Sequence, residues 1–265
     1  MYESVGRYDD AEPYYQQSLE ICRAVFGENH PDFATCLNNL ATLYCSMGRY
    51  EEAEPLLIKS MEISRTTLGE AHPEFATSMN NLASLYDSIE RYEKAEALYK
   101  QSFEIYRTAL GYDNPICATG LNNLAKLYSS IGRYAEAEQH YEQALKIRRS
   151  VLGETHPDFA GSLCNLATLY RSIERYEEAE PLFKKCLEIF RSTLGEDHPE
   201  FVASLNNLAV LYRSMGRYSE AEPLLKQAIA KIRKLLGDEH PSTHKIKDNY
   251  ESLLQQIAKN SPNIG

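Results

Sequence analysis

The sequence has no run of apolar residues near the roughly 20 that a bilayer crossing needs, which excludes a helical membrane span. Its opening stretch, Met-Tyr-Glu-Ser-Val-Gly, carries neither a basic leader nor an apolar signal segment. A cytoplasmic chain with no membrane partner is the expectation. There is no Cys-x-x-Cys: Cys22, Cys36, Cys45, Cys117, Cys164 and Cys186 sit at different positions of the chain's repeating unit. They read as scattered small-residue substitutions in a reduced cytosol. No Gly-rich phosphate loop, nucleophile motif or convincing metal-ligand cluster is present, so no catalytic residue, cofactor or metal is assigned and an enzyme is not expected. Positive charge is scarce as well. The net charge is −10, and residues 1–111, with 9 basic against 18 acidic side chains, hold −9 of it. Such a balance argues against nucleic acid or an anionic membrane surface as partner.

What the chain does have is a period. Gly27, Gly69, Gly111, Gly153, Gly195 and Gly237 follow one another at 42 residues. His-Pro keeps the same step at residues 30, 72, 156, 198 and 240, with Asn114-Pro115 the departure, and Arg-Tyr keeps it from Arg7-Tyr8 to Arg217-Tyr218. Such self-similarity marks tandem units, each packed on its neighbours, in one elongated domain.

Each unit reads as two helices. In residues 30–69, Phe33, Leu37, Leu40, Ala41 and Tyr44 form an apolar stripe of helical period behind Pro31, which suits a first helical turn. This is helix A, about 31–47, broken by Gly48-Arg49-Tyr50. Ala53, Leu56, Leu57, Ser60, Met61, Ser64 and Leu68 form the stripe of helix B, about 51–68, which Gly69 stops in a left-handed conformation. Pro55 falls in or just after the first turn of helix B, where few donors are lost. The pattern predicts a lone helix B at 8–26, five complete pairs and a final helix A at about 241–258, whose polar Asp248-Asn249-Tyr250-Glu251 makes it a solvated cap. Met1 to Gly6 matches only the last turn of a helix A.

With Leu40, Ala41, Tyr44, Gly48, Tyr50 and Ala53 in place, the unit resembles a tetratricopeptide repeat (TPR). Residues 72–86, His-Pro-Glu-Phe-Ala-Thr-Ser-Met-Asn-Asn-Leu-Ala-Ser-Leu-Tyr, followed by Arg-Tyr-Glu-Lys-Ala-Glu at 91–96, are similar to the repeats of kinesin light chain and of prokaryotic light-chain-like proteins. The resemblance implies an all-α, right-handed α-solenoid whose A helices line a concave groove that takes peptide segments of partner proteins, without catalysis. The expected organisation is a single solenoid over 1–258, with a partial repeat at 1–27, repeats at 28–69, 70–111, 112–153, 154–195 and 196–237, a capping helix at 241–258 and a flexible tail at 259–265.

The polar face of helix A is where a ligand is expected. Thr35, Asn38, Thr42 and Cys45 make a stripe flanked by Asn39, and the corresponding positions carry Asn80, Asn81, Ser84 and Asp87; Asn122, Asn123, Lys126 and Ser129; Asn165, Thr168 and Arg171; and Asn206, Asn207, Val210 and Arg213. Asn costs about 0.5 kcal/mol relative to Ala inside a helix, so a merely soluble face would use Glu or Lys. The amides offer the donors and acceptors that a docked peptide backbone needs. A competing reading has the second Asn of each pair bracing the neighbouring helix. Lys126, Arg171, Arg213 and Lys245 add positive charge against Asp87, which points to an acidic or carboxylate-bearing peptide, with scattered solvated cations as the competing reading.

Exceptions to the period matter too. In the third repeat Cys117 stands where Phe33, Phe75, Phe159 and Phe201 stand, and Ile116 or Tyr112 is expected to swing in and refill the space, the alternative being an exposed apolar spot for a partner. In the fourth, Gly161 and Cys164 replace a Thr and an Asn, through drift or to open a shallow pocket. The recurring histidines read as helix-start caps, and His240, His244 and Asp248 do not share a face that would hold a metal. Tyr44, Tyr86, Tyr128, Tyr170 and Tyr212 read as packing residues. The alternative to a peptide-binding module is an assembly scaffold that self-associates, or joins further repeats, through an uncovered helix at 8–26.

Overall fold

The computed structural model describes residues 8–260. The expected helix end at residues 1–6 and the last five residues of the expected tail lie outside the described residues. Among them the chain forms twelve α-helices and no strand. They are α1 (Tyr8–Phe26), α2 (Pro31–Ser46), α3 (Tyr50–Leu68), α4 (Pro73–Ser88), α5 (Tyr92–Leu110), α6 (Pro115–Ser130), α7 (Tyr134–Leu152), α8 (Pro157–Ser172), α9 (Tyr176–Thr193), α10 (Pro199–Ser214), α11 (Tyr218–Leu236) and α12 (Pro241–Asn260). Even-numbered helices are the expected A helices and odd-numbered ones the B helices; only the last outruns its expected end, by two residues.

The helices group into two compact units, one up to residue 151 and one from residue 152. In the first, α1 to α6 pack each on the next, and the A helices α2, α4 and α6 also touch one another. In the second, α8 to α12 do the same, with α10 touching both α8 and α12. The stripes read from the sequence are the packing faces. Phe33, Leu37, Leu40, Ala41 and Tyr44 are buried, as are Ala53, Leu57, Ser60 and Ser64 on the facing helix. Fully burying each Phe or Leu side chain contributes about 1.5–3 kcal/mol. Leu43 and Ile63 are buried too, because each helix is pressed from a second side.

The A helices begin alike. His30, His72, His156, His198 and His240 each take extended or loop backbone before the proline and accept, at Nδ1, the backbone N–H two residues on, at 3.0–3.2 Å. Asn114 does the same through Oδ1 at 2.9 Å. An acceptor at that place is what the repeat requires, which is why Asn can replace His.

The two periodic turns differ in what they tolerate. After each A helix the chain passes through one left-handed residue: Gly48, Gly132 and Gly216 at φ +73 to +77°, but Glu90 at +59° and Glu174 at +61°. After the B helices Gly69, Gly111 and Gly237 adopt φ +83 to +90° with ψ 153 to 175°. That second region is closed to any residue with a Cβ, whereas the first is merely costly. Hence the 42-residue glycine never varies, and the other one does.

Cys117 overturns one expectation. It is fully buried, and Ile116 and Tyr112 stay exposed. The space is instead shared by Tyr106, Leu121, Ala144 and Ile147, with Phe103 and Leu110 against them. Tyr106 occupies the place of Ser64, so the aromatic bulk missing from α6 is supplied by α5. Tyr112 only meets the edge of Phe103, at 6.4 Å between centroids.

His140 on α7 stands where Leu56, Leu98, Leu182 and Leu224 stand in other repeats, and its Nδ1 is buried without a hydrogen-bond partner. Burial pushes its pKa below the usual histidine value, against the pull of Glu136. The neutral ring is thus the folded form, so its contribution is intact above about pH 6.5 and is lost as pH falls through the lowered folded value.

Three substitutions test this packing, each read by thermal or urea unfolding. Gly69→Ala will destabilise by about 1–3 kcal/mol although nothing lies near the added methyl, while Glu90→Gly will stabilise by about 0.5 kcal/mol. His140→Leu will raise stability by about 1 kcal/mol at neutral pH and flatten the loss of stability between pH 7 and 5.5.

Candidate functional site

The A-helix face is built on a bracket at each A–B turn. Arg49 closes α2 by donating its backbone N–H to Tyr44 O at 2.8 Å, which throws its side chain back over the Tyr44 ring at 4.2 Å. There the guanidinium reaches Glu12 of α1 and Glu52 of α3, both at 2.6 Å, and the Tyr44 hydroxyl donates to Glu12 at 3.0 Å. The same arrangement joins Tyr128, Arg133, Glu96 and Glu136, and Tyr212, Arg217, Glu180 and Glu220; Arg91 pairs with Glu54 alone beside Tyr86, because Lys94 stands where Glu52 stands. The hydrogen bond from Arg217 leads the contacts that hold the Glu180 carboxyl at about 2. The tyrosines are packing residues, and the bracket leaves the residues one turn away to line the face.

Those residues are largely amides, and part of that set is spent on bracing. Asn123 donates to Asn80 Oδ1 at 3.0 Å, and Asn249 to Asn206 Oδ1 at 2.9 Å, so the second Asn of one repeat holds the first Asn of the preceding one. Asn38 donates to Ser78 Oγ at 3.3 Å while its Oδ1 is buried without a partner. Asn122 and Asn206 are buried. By contrast Asn39 and Asn165 are exposed, and Asn81 and Asn207 are half-buried.

The remaining amides border clefts. Asn38, Asn39 and Asn81 join Thr35, Glu74 and Thr77 around a volume of about 140 Å³ between α2 and α4, and Asn81 with Thr42, Cys45 and Ser84 borders another of about 120 Å³. In the second unit Asn206 and Asn207 border about 330 Å³ together with Ser242 and Lys245 of α12. Thr77 and Ser242 were not singled out from the sequence; the place of Thr77 one turn before Asn80 and Asn81, where Thr35 stands before Asn38 and Asn39, is the signal that could have found it.

The charges divide sharply. Lys126 is exposed and faces Asp87 at 3.9 Å, so these two partly cancel. Burial pushes Asp87 up, and Lys126 pulls it back. Arg171 is different. It is half-buried and meets no carboxylate among the described residues; burial and then the neighbouring Arg213 push its guanidinium below the usual value. Arg213 donates to the backbone carbonyl of Asn249 at 3.2 Å. Two adjacent guanidiniums with no carboxylate between them hold an unneutralised positive site on α8 and α10.

The cysteines correct the sequence reading. Cys22 is bonded to Cys36, and Cys164 to Cys186, leaving Cys45 and Cys117 free. Four of six are therefore paired across packed helices, α1 to α2 and α8 to α9, rather than scattered. Cys164 takes the place of an Asn on the A-helix face, Cys186 that of Ser60 on the B helix, and those two places abut. The 22-residue separation hid this, since adjacency across two helices leaves no mark in sequence spacing. Cys164 thus turns into α9 and away from a ligand, while Gly161 beside it faces open space.

A sequence model described as tetratricopeptide repeat matches residues 1–53, 32–108, 90–150, 116–192, 158–234 and 200–255. The chain belongs to the tetratricopeptide repeat family. Its fold class is the all-α solenoid of 42-residue TPR helix pairs. Its repeats are of the kinesin light chain-like type: a Podosopora anserina protein named for the kinesin light chain, with nearly identical TPR-like repeats, is 30% identical over 77% of this chain and 97% of that one, at a TM-score of 0.62, and its Q17M form scores 0.64. BtubC (BKLC) from P. vanneervenii is 23% identical over 88% of this chain and 94% of its own, at a TM-score of 0.69, a likeness of fold. No curated protein matches. TPR repeats generally mediate protein–protein interaction, and this family serves as an interaction scaffold. Among the described residues no helix is long and apolar enough to cross a membrane.

Reduction of the TPR protein should be felt in the second unit. Opening Cys164–Cys186, or replacing both residues by Ser, will lower stability by about 3 kcal/mol, measured by urea unfolding with and without reductant. Mass spectrometry after thiol alkylation will count two free cysteines before reduction and six after.

Proposed function

We propose that this chain is a peptide-binding module, without catalysis or cofactor, that takes an acidic segment of a partner protein on the A-helix face. The observation that carries the reading is the Arg171–Arg213 pair. A half-buried guanidinium next to a like charge is costly unless an anion joins it, because burial and repulsion both act against the cation. A carboxylate of an incoming peptide, held in a bidentate fork, relieves both penalties. The peptide backbone then finds the amides that bracing leaves over, Asn207 on α10 and Asn165 on α8, and Lys245 of the same cleft as Asn207 adds a further cation. Asn39 and Asn81 offer the same chemistry in the first unit. Asn38, Asn80, Asn122, Asn123 and Asn206 act chiefly as posts for these groups, and Lys126, facing Asp87, has a smaller part.

A second reading rests on α1. Ile21 is 55% exposed, whereas its equivalents Ile63, Ile147 and Ile189 are 5%, 2% and 6% exposed. Val25 and Phe26 are exposed near it. This is the face of a B helix that other repeats cover, and it suits an assembly scaffold in which α1 meets another helix, in a second copy or in further repeats. Neither reading involves nucleic acid, a membrane or a metal.

The test of the first reading is titration of an acidic peptide and its Asn/Gln counterpart onto the wild type and the Arg171→Glu/Arg213→Glu variant, at two salt concentrations. Binding of the acidic peptide will weaken at least about tenfold in the variant and lose much of its salt dependence. Unchanged affinity with unchanged salt dependence would sink it. Light scattering checks the second: a mass independent of concentration, unaltered by Ile21→Glu, speaks against self-association.

A further inference from the structure

A second cleft lies apart from the A-helix face. Glu70 and Ala71, in the loop before α4, and Gln101, Glu104, Ile105, Thr108 and Ala109 of α5 border an open cleft of about 600 Å³, mostly apolar. It lies wholly within the first unit. Two sister repeats bridge this space from within, while Gln143 and Gln227 stand at the same place in the third and fifth. At the equivalents of Gln101 the first and fourth complete repeats carry Lys59 and Lys185, whose Nζ cross the same place to Glu28 at 2.6 Å and Glu154 at 2.5 Å. In the fifth, Lys231 reaches across instead, to Glu196 at 3.3 Å and Asp197 at 3.1 Å.

The second repeat keeps the acid and lacks the arm. Gln101 cannot form the bridge, and Glu70, the equivalent of Glu28, Glu154 and Glu196, has no ion pair among the described residues. Ala71 replaces Asn29, Thr155 and Asp197, and Ala109 replaces Thr67 and Thr193, so the floor is also smaller and more apolar. Ile105 is left half-buried where Ile63 and Ile189 are buried. Glu104 is held by Arg107 at 2.5 Å, which leaves Glu70 as the unspent charge.

We propose that this cleft receives a lysine or arginine side chain from a basic segment of a partner protein. The aliphatic stem lies on Ile105, Ala71 and Ala109 while the charged head meets Glu70, as amphipathic side chains do on apolar surface. The incoming cation restores between two chains the bridge that Lys59 and Lys185 make within one. The surplus of 18 acidic over 9 basic side chains in residues 1–111 steers such a segment toward this part of the chain. The site is independent of the Arg171–Arg213 pair, so one chain can hold an acidic and a basic segment at once.

The probe is a dye-labelled Leu-Lys-Leu-Lys peptide, titrated onto the full chain with anisotropy and the methyl shifts of Ile105 and Ala109 as readouts. Both methyls will shift, and added salt will weaken binding. Gln101→Lys, which copies Lys59 and fills the cleft from within, and Glu70→Gln, which removes the charge, will each lower affinity at least about tenfold. Arg171→Glu will leave it unchanged. Equal affinity in wild type, Gln101→Lys and Glu70→Gln, shifts confined to other methyls, or equal binding of a Leu-Glu-Leu-Glu peptide would each overturn the proposal. Because Gln101→Lys adds a bridge found elsewhere in the chain, it will melt no lower than wild type, which separates loss of binding from loss of fold.

Discussion

The structure depends on the arginine that follows each A helix. Its backbone N–H ends the helix on the tyrosine carbonyl, and the guanidiniums of Arg49, Arg133 and Arg217 lie over the tyrosine ring and join carboxylates from the B helices on either side, while Arg91 joins Glu54 alone. Three helices are thereby tied at one point: α1, α2 and α3 by Arg49, α9, α10 and α11 by Arg217. A ring face and two carboxylates can meet one planar cation only if the helices keep a fixed spacing and rotation. This explains why the arginine, and the tyrosine five residues before it, recur while the residue just before the arginine changes from Gly to Glu.

With the bracket fixing the helices, the A-helix face becomes a place where polar groups are either spent or left over. Asn123 on Asn80 and Asn249 on Asn206 are spent, as is Lys126 beside Asp87. The charges of Arg171 and Arg213 are left over, Arg213 having only the Asn249 carbonyl, and so is that of Glu70 in the cleft beside α5. Both proposed sites follow one logic: the repeats set a standard of internal pairing, and a repeat that departs from it leaves a charge for something outside the chain. The two charges have opposite sign and select opposite partners.

Much of this was legible in the sequence. The stripe from Phe33 to Tyr44, the histidine caps and both turns follow from period, proline and glycine, and these are local properties that a helix expresses wherever it sits. The candidate face was also legible as a row of amides. How those amides divide between bracing and binding was not, since a hydrogen bond between Asn80 and Asn123 joins residues 43 apart and depends on the rotation of two helices. The refilling around Cys117 by Tyr106 was missed for a similar reason: the substitute comes from the preceding helix, not from the neighbours in sequence.

By itself, then, the sequence determined the helix pairs, their ends and their order, because capping, φ preferences and apolar period act over a few residues. Tertiary structure alone decided which groups find partners. Cys164 and Cys186, Lys59 and Glu28, and Gln101 facing an unmatched Glu70 are all relations between helices. Their outcome rests on distances of a few ångströms that packing sets and no spacing along the chain encodes.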